Sequence, residues 1–163
     1  YNVSDTFLAT AAMELSRRQV DFIQFPQAYR QFGQGDSGIA IELADYFDRH
    51  ANAANRADAM LLTGTLSVIS KPAVEAVGGW SSRTSTEDAE LGLRLGASDY
   101  RGAYVGQVMG RGLLPLSLDA LVRQRHRWAA GNMRTLVLWL ADQRRPGQGA
   151  PAVPWVRKIL IAA

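Results

Sequence analysis

Two periods of apolar and polar residues run through this chain, and its elements change where the period changes. From Phe7 onward, Phe7, Leu8, Ala11, Ala12 and Leu15 recur at three- and four-residue steps. That spacing predicts a helix to about Arg18 with one buried face, capped by Ser4 or Asp5. Val20-Asp21-Phe22-Ile23-Gln24-Phe25 alternates and is β-branched and aromatic, so it predicts a strand, stopped by Pro26. Residues 31–37 form a polar loop with Gly33 and Gly35. Ser37 or Gly38 then opens a second helix, with Ile41, Ala44 and Phe47 on its periodic face, ending near Ala54. Ala59-Met60-Leu61-Leu62 predicts a short buried strand leading into Thr63-Gly64-Thr65. Pro72 suits the first turn of a short helix that stops at Gly78-Gly79. After a polar loop from Ser81 to Ser85, Thr86 to about Gly96 predicts a helix. Tyr100–Val105 and Gln107–Met109 predict strands. Leu118 to about Gln143 predicts two helices, or one bent at Gly131, followed by a Gly- and Pro-rich linker over 144–154. Strands alternating with helices make the chain α/β.

Composition narrows this picture. The 163 residues, 47% apolar and 20% charged, fit one globular domain with a real core and argue against a disordered chain. With no cysteine, disulfides, thiolate metal sites and a cysteine nucleophile are excluded. The net charge of +3 is unevenly spread. Between Arg123 and Arg145 six arginines face one acid, Asp142, which points to an anionic partner: lipid headgroups, a nucleotide diphosphate or nucleic acid. The N-terminus lacks the basic segment and apolar run of a signal peptide. Thr135–Ala141 falls far short of the roughly 20 apolar residues that span a bilayer. Residues 155–163, a Trp and two cations before an apolar run, read either as the interfacial start of a membrane helix or as a docked tail. Both ends are expected to be cuts within a longer protein.

Two stretches carry candidate chemistry. Gln124-Arg125-His126-Arg127-Trp128 lies in the basic helix, where about 100° per residue puts Gln124, Arg127 and Trp128 on one face. An amide, a guanidinium and an indole together suit a phosphorylated sugar, since Arg bonds phosphate oxygens in a planar fork and the indole offers a face for stacking. The same residues also fit a solvated or membrane-facing surface with Trp128 and Trp139 in the core. Thr86-Glu87-Asp88 opens the preceding helix. It fits a helix cap first, with Thr84 and Glu87 at capping-box spacing, and also a general base at Asp88.

In order along the chain come 20-VDFIQFPQ-27, 63-TGT-65, 78-GGW-80, 86-TEDAELGLR-94, 112-GLLP-115 and 124-QRHRWAAG-131. Six such motifs in register, covering roughly residues 1–140, resemble the C-terminal half of the catalytic domain of processive, membrane-integrated family 2 glycosyltransferases. These are the cellulose-, hyaluronan- and glucan-synthase-like enzymes. The resemblance implies a partial GT-A (nucleotide-diphospho-sugar transferase) fold, the acceptor-side half over residues 1–143, with a mixed sheet and flanking helices. It implies an inverting transfer of a hexose from a UDP-sugar to a growing glycan, with Asp88 as catalytic base and Thr86 and Glu87 beside the acceptor. Gln124 and Arg127 would hold the diphosphate, Trp128 would stack on the acceptor sugar, and Gly64 and Thr65 would lie next to it. Thr63 departs from the cellulose synthases, which carry cysteine there.

A divalent metal, Mg²⁺ or Mn²⁺, is expected in the full-length parent, with its ligands upstream of this chain. Asp45, Asp48, Asp58, His50 and His126 do not have the placing of metal ligands. The expected partners are a UDP-sugar, a glycan or lipid-linked acceptor and a membrane, with no nucleic acid. The expected place is the inner membrane, catalytic part on the cytoplasmic face, and this piece alone is expected to turn over nothing. A non-processive lipid glycosyltransferase shares the motif set. A non-catalytic module binding anionic lipid or nucleic acid is the reading from a different class.

Overall fold

The computed structural model describes residues 1–30, 41, 44–115 and 117–143. The expected loop over 31–37, the opening of the second helix, the linker over 144–154 and the segment 155–163 lie outside the described residues. Two small sheets organise the rest. The first has β2 (Phe22–Gln24) at its centre, antiparallel to β4 (Ser67–Ile69) and parallel to β5 (Gly102–Tyr104). Phe22 pairs with Ile69 and Gly102, and Gln24 with Ser67 and Tyr104. The second sheet centres on β6 (Gly110–Leu113), antiparallel to β1 (Asn2–Val3) and parallel to β3 (Ala28–Arg30).

Because successive side chains of a strand point to opposite faces, β2 feeds two cores. Phe22 joins Phe47, Met60, Leu62, Leu91, Leu95 and Tyr104 on one face. Ile23 joins Ala11, Phe25, Leu66, Ala103, Val105 and Met109 on the other. Both residues are sealed from water, which explains why this strand is apolar on both faces.

Among the described residues five helical segments flank the sheets. They are α1 (Phe7–Arg18), α2 (Asn52–Arg56, entered through a wider π-helical turn at Tyr46–Ala51), α3 (Lys71–Ala76), α4 (Glu87–Ala97) and α5 (Leu118–Gln143). Arg94 fastens α4 to the turn after α3. Its guanidinium binds the Glu90 carboxylate at 2.8–3.0 Å, the Gly79 carbonyl at 2.8 Å and the Val77 carbonyl. Among the described residues no helix is long and apolar enough to cross a membrane.

The structure departs from the sequence pattern in several places, the unexpected short strands β1 and β3 among them. Residues 59–62 are mostly buried but form no strand; their backbone lies against α4, where a Cβ on Gly92 would sit 2.9 Å from the Leu62 amide nitrogen. The strand follows instead at Ser67–Ile69, after Leu66 turns the chain at φ 54°. Gln107–Met109 is likewise outside any strand, and pairing begins at Gly110. A strand with two glycines has low propensity, but glycine is required here: a Cβ on Gly112 would sit 2.7 Å from the Tyr1 ring, and one on Gly110 2.8 Å from Leu66. Finally, α5 is one continuous helix of 26 residues rather than two, and Gly131 lies where it passes Ser85 and Thr86.

Candidate active site

A cavity of about 690 Å³ opens between the N-terminus of α4, the loop 61–65, the first turns of α5 and the edge of the second sheet. Gly64, Thr65, Thr86, Glu87, Asp88, Gln124, Arg127 and Trp128 all line it. The structure therefore brings together every residue singled out from the sequence as a site candidate. Asp88 and Trp128 border the same space, and Trp128 is half-buried rather than sealed among aliphatic neighbours.

Local forces place each of these groups. Gly64 has φ +84°, a left-handed conformation that glycine adopts without penalty. A Cβ there would lie 2.7 Å from Asp88 Oδ2, so the carboxylate rests directly over the glycine. The loop carrying Gly64 is held by two glutamines from β2 and the segment after it. Gln24, fully buried, donates to the carbonyls of Thr65 at 2.7 Å and Phe25 at 2.8 Å, and accepts from the Thr63 amide at 3.0 Å. Gln27 donates to the Thr63 carbonyl at 2.5 Å and accepts from the Tyr29 hydroxyl at 3.0 Å. These amides are the part of the site that the hydropathy pattern hides, since a glutamine in a strand reads as an outward residue.

On the opposite wall, Gly131 lets α5 cross close to α4. A Cβ on it would meet Thr86 Cγ2 and Oγ1 at 2.7 Å and Ser85 Oγ at 2.8 Å. Arg127 donates to the Ser85 carbonyl at 3.2 Å, and the Ser85 hydroxyl donates to the Arg127 carbonyl at 3.4 Å, which ties the guanidinium to the approach of Asp88. Arg125 also reaches the cavity and lies 5.2 Å from the centre of the Trp128 ring, a cation–π contact. Tyr1, Tyr29 and Tyr46 add further aromatic lining. Arg125 lies inside the quoted 124–128 stretch but off the face of Gln124, Arg127 and Trp128, and the tyrosines do not stand out in the sequence because they are scattered over the chain.

The capping role open to residues 84–88 is only partly taken up. Thr86 stands at the N-cap without a side-chain capping bond, and the hydroxyls of Thr84 and Thr86 are buried without a hydrogen-bond partner. The backbone amides of Asp88 and Ala89 favour the charged form of the Asp88 carboxylate. Burial is the largest influence on Asp88 and raises its pKa; Glu87 next to it adds to the rise, while the two amides and Arg127 oppose it. Burial, reinforced by Asp88, likewise raises the Tyr46 phenol. The cavity thus holds a carboxylate that takes up a proton more readily than an exposed aspartate does.

Among the described residues no three His, Cys, Asp or Glu side chains gather as a group that could hold a metal ion. His50 stacks on Tyr46, Asp45 pairs with Arg49 at 2.5 Å, and Asp58 pairs with Arg101 at 3.2 Å.

Comparison with known proteins bears on what such a cavity serves. The family model for glycosyl transferase family group 2 matches residues 2–162. Over 68 residues the chain is 38% identical to probable glucomannan 4-beta-mannosyltransferase 6 of Oryza sativa subsp. japonica, a stretch that is 42% of this chain and 12% of that protein. It is 40% identical over 68 residues to probable glucomannan 4-beta-mannosyltransferase 1 of Arabidopsis thaliana, again 42% of this chain and 12% of the relative. It is also 42% identical over 74 residues to the cellulose synthase catalytic subunit (UDP-forming) of Xanthomonas axonopodis pv. citri (strain 306), 45% of this chain and 10% of that protein. Each match thus spans a small part of the relative's length.

Proposed function

Because the chain belongs to glycosyl transferase family group 2, we propose that it forms the acceptor side of an inverting glycosyltransferase active site. Its α/β architecture, mixed sheets flanked by helices, is consistent with a GT-A-like fold. The reaction we assign is transfer of a hexose from a UDP-sugar to the end of a growing glycan. Asp88 takes the proton from the attacking acceptor hydroxyl. Gln124 and Arg127 bind the leaving diphosphate, and Trp128, with Arg125 against its ring, stacks on the acceptor sugar. Thr86 and Glu87, with Gly64 and Thr65, border the acceptor. The cation expected beside the diphosphate, Mg²⁺ or Mn²⁺, would be held by residues outside this chain.

The observation that carries this reading is the Asp88 carboxylate lying over Gly64 in the cavity that Trp128 lines, with a pKa raised by burial. An inverting transfer needs a base on the acceptor side and positive charge on the leaving-group side, and the two walls supply one each.

We also assign the full-length parent to the inner membrane, with this part on the cytoplasmic face. What supports that assignment is α5. Leu118, Val122, Met133, Val137 and Leu140 are all exposed, and at about 100° per residue they form one apolar stripe flanked by Arg123 and Arg134. Such a helix lies in a membrane surface rather than across it.

The test is Asp88→Asn in the full-length parent, a nearly isosteric loss of the base. Sugar transfer is expected to fall on the order of 10²–10⁴-fold, with the protein still folded and still bound to membranes. Transfer that survives the substitution would refute the reading, and membrane binding that persists without any transfer activity in the parent would favour a lipid-binding module.

A further inference from the structure

We propose that a second, smaller cleft on the same helix is an anion site for a phosphate group, separate from the cavity at Asp88. The cleft, of about 530 Å³, is bounded by residues 82–85 and by Ala130, Gly131 and Arg134 of α5. Arg134 lies seven residues beyond Arg127, on the same side of α5 and about two turns further along, so the two sites are neighbours that share Ser85 alone among their lining residues.

The lining of this cleft has one chemistry. It offers the guanidinium group of Arg134 and the hydroxyls of Ser82 and Ser85, with Arg83 and Thr84 also in the lining, and none of the lining residues is acidic. Thr84 is 9% exposed, and its hydroxyl makes no hydrogen bond within the protein. A buried hydroxyl without a partner is unfavourable unless a ligand supplies one. Guanidinium forks and hydroxyl donors around a common space match the several acceptor oxygens of a tetrahedral phosphate. Two sources share that chemistry: a soluble phosphate, or the headgroup of a phospholipid. The apolar stripe of α5 runs beside the cleft, so a headgroup phosphate would reach it from a membrane in which that stripe lies.

The experiment uses the full chain and two variants, Thr84→Val and Arg134→Gln, with Lys71→Gln on distant α3 as a control cation. Thr84→Val keeps the shape and removes no protein hydrogen bond, and Arg134 is exposed, so both variants are expected to fold; circular dichroism and the Tm without phosphate check this. Inorganic phosphate is titrated while following Tm, and co-sedimentation is measured with phosphatidylglycerol-containing vesicles against pure phosphatidylcholine. The expected result is saturable stabilisation by phosphate that either variant weakens about tenfold and Lys71→Gln does not. A matching loss of phosphatidylglycerol binding assigns the site to a headgroup; a loss confined to inorganic phosphate assigns it to a soluble ligand. The proposal is overturned if wild-type chain binds neither probe, or if both variants bind as the control does. Because none of these readouts involves sugar transfer, the outcome is independent of the role assigned to Asp88.

Discussion

At Asp88 a single carboxyl group feels opposing influences, and their order sets how the site depends on pH. Burial raises the pKa most, the Glu87 carboxylate raises it further, and the amides of Ala89 and Asp88 with the Arg127 guanidinium pull it down. A group whose folded pKa lies above its unfolded value favours the folded state most at pH below the unfolded value. That contribution is lost as pH rises through the folded pKa. Catalysis runs the other way, since a base must be deprotonated, so transfer is expected to rise with pH along an acid limb set by Asp88 above the range of an exposed aspartate. Glu87→Gln removes a neighbouring negative charge and should move that limb to lower pH; pH–rate profiles of the two forms of the full-length parent measure it. An upward or absent shift would mean that Glu87 does not act on the titrating group. Sequence alone placed Asp88 at a helix start but could not rank these influences, because the burial comes from Tyr46 and the 61–65 loop, distant along the chain. Gln24 shows the same limit. Its side chain organises that loop through two backbone groups, the Thr65 carbonyl at 2.7 Å and the Thr63 amide at 3.0 Å; the sequence shows it within the 20–27 motif but not what it holds.

Between elements, the decisive contact is the crossing of α4 and α5. In an open helix position Gly→Ala stabilises by about 1 kcal/mol, since alanine has the better helix propensity. At Gly131 the added methyl would meet Thr86 at 2.7 Å and Ser85 at 2.8 Å, and overpacking of that kind costs typically 1–3 kcal/mol. The steric cost outweighs the propensity gain, so Gly131→Ala is expected to lower Tm. It should also reduce transfer beyond the loss of folded protein, because relief of the clash moves Arg127 and Trp128 away from Asp88. A Tm equal to or above wild type would show that the helices separate freely. The helices themselves were legible because their apolar periodicity is local: α1, α3, α4 and α5 each lie within a few residues of the expected spans. The strands β1, β3, β4 and β6 were not. They have two to four residues, and two glycines in β6 are set by the neighbours that press on them rather than by strand preference.

For the molecule as a whole, the membrane placement proposed for α5 draws on two forces, and magnitudes decide between them. The stripe of Leu118, Val122, Met133, Val137 and Leu140 contributes about 1.5–3 kcal/mol for each side chain fully removed from water, and part of that for shallow burial. Each Arg near an anionic surface contributes about 1 kcal/mol, and this part is screened once the Debye length shrinks to about 3 Å at 1 M salt. Five apolar side chains therefore outweigh the cations of this helix. Binding of the chain to phosphatidylglycerol-containing vesicles is accordingly expected to weaken at 1 M salt but to persist. The double substitution Val122→Asp with Val137→Asp should abolish it at any salt concentration, while leaving the helical circular dichroism unchanged because both positions are exposed. Co-sedimentation across a salt series separates the two contributions. If high salt alone releases the chain, or the aspartate pair has no effect, the stripe does not face the membrane and the cations carry the attachment by themselves.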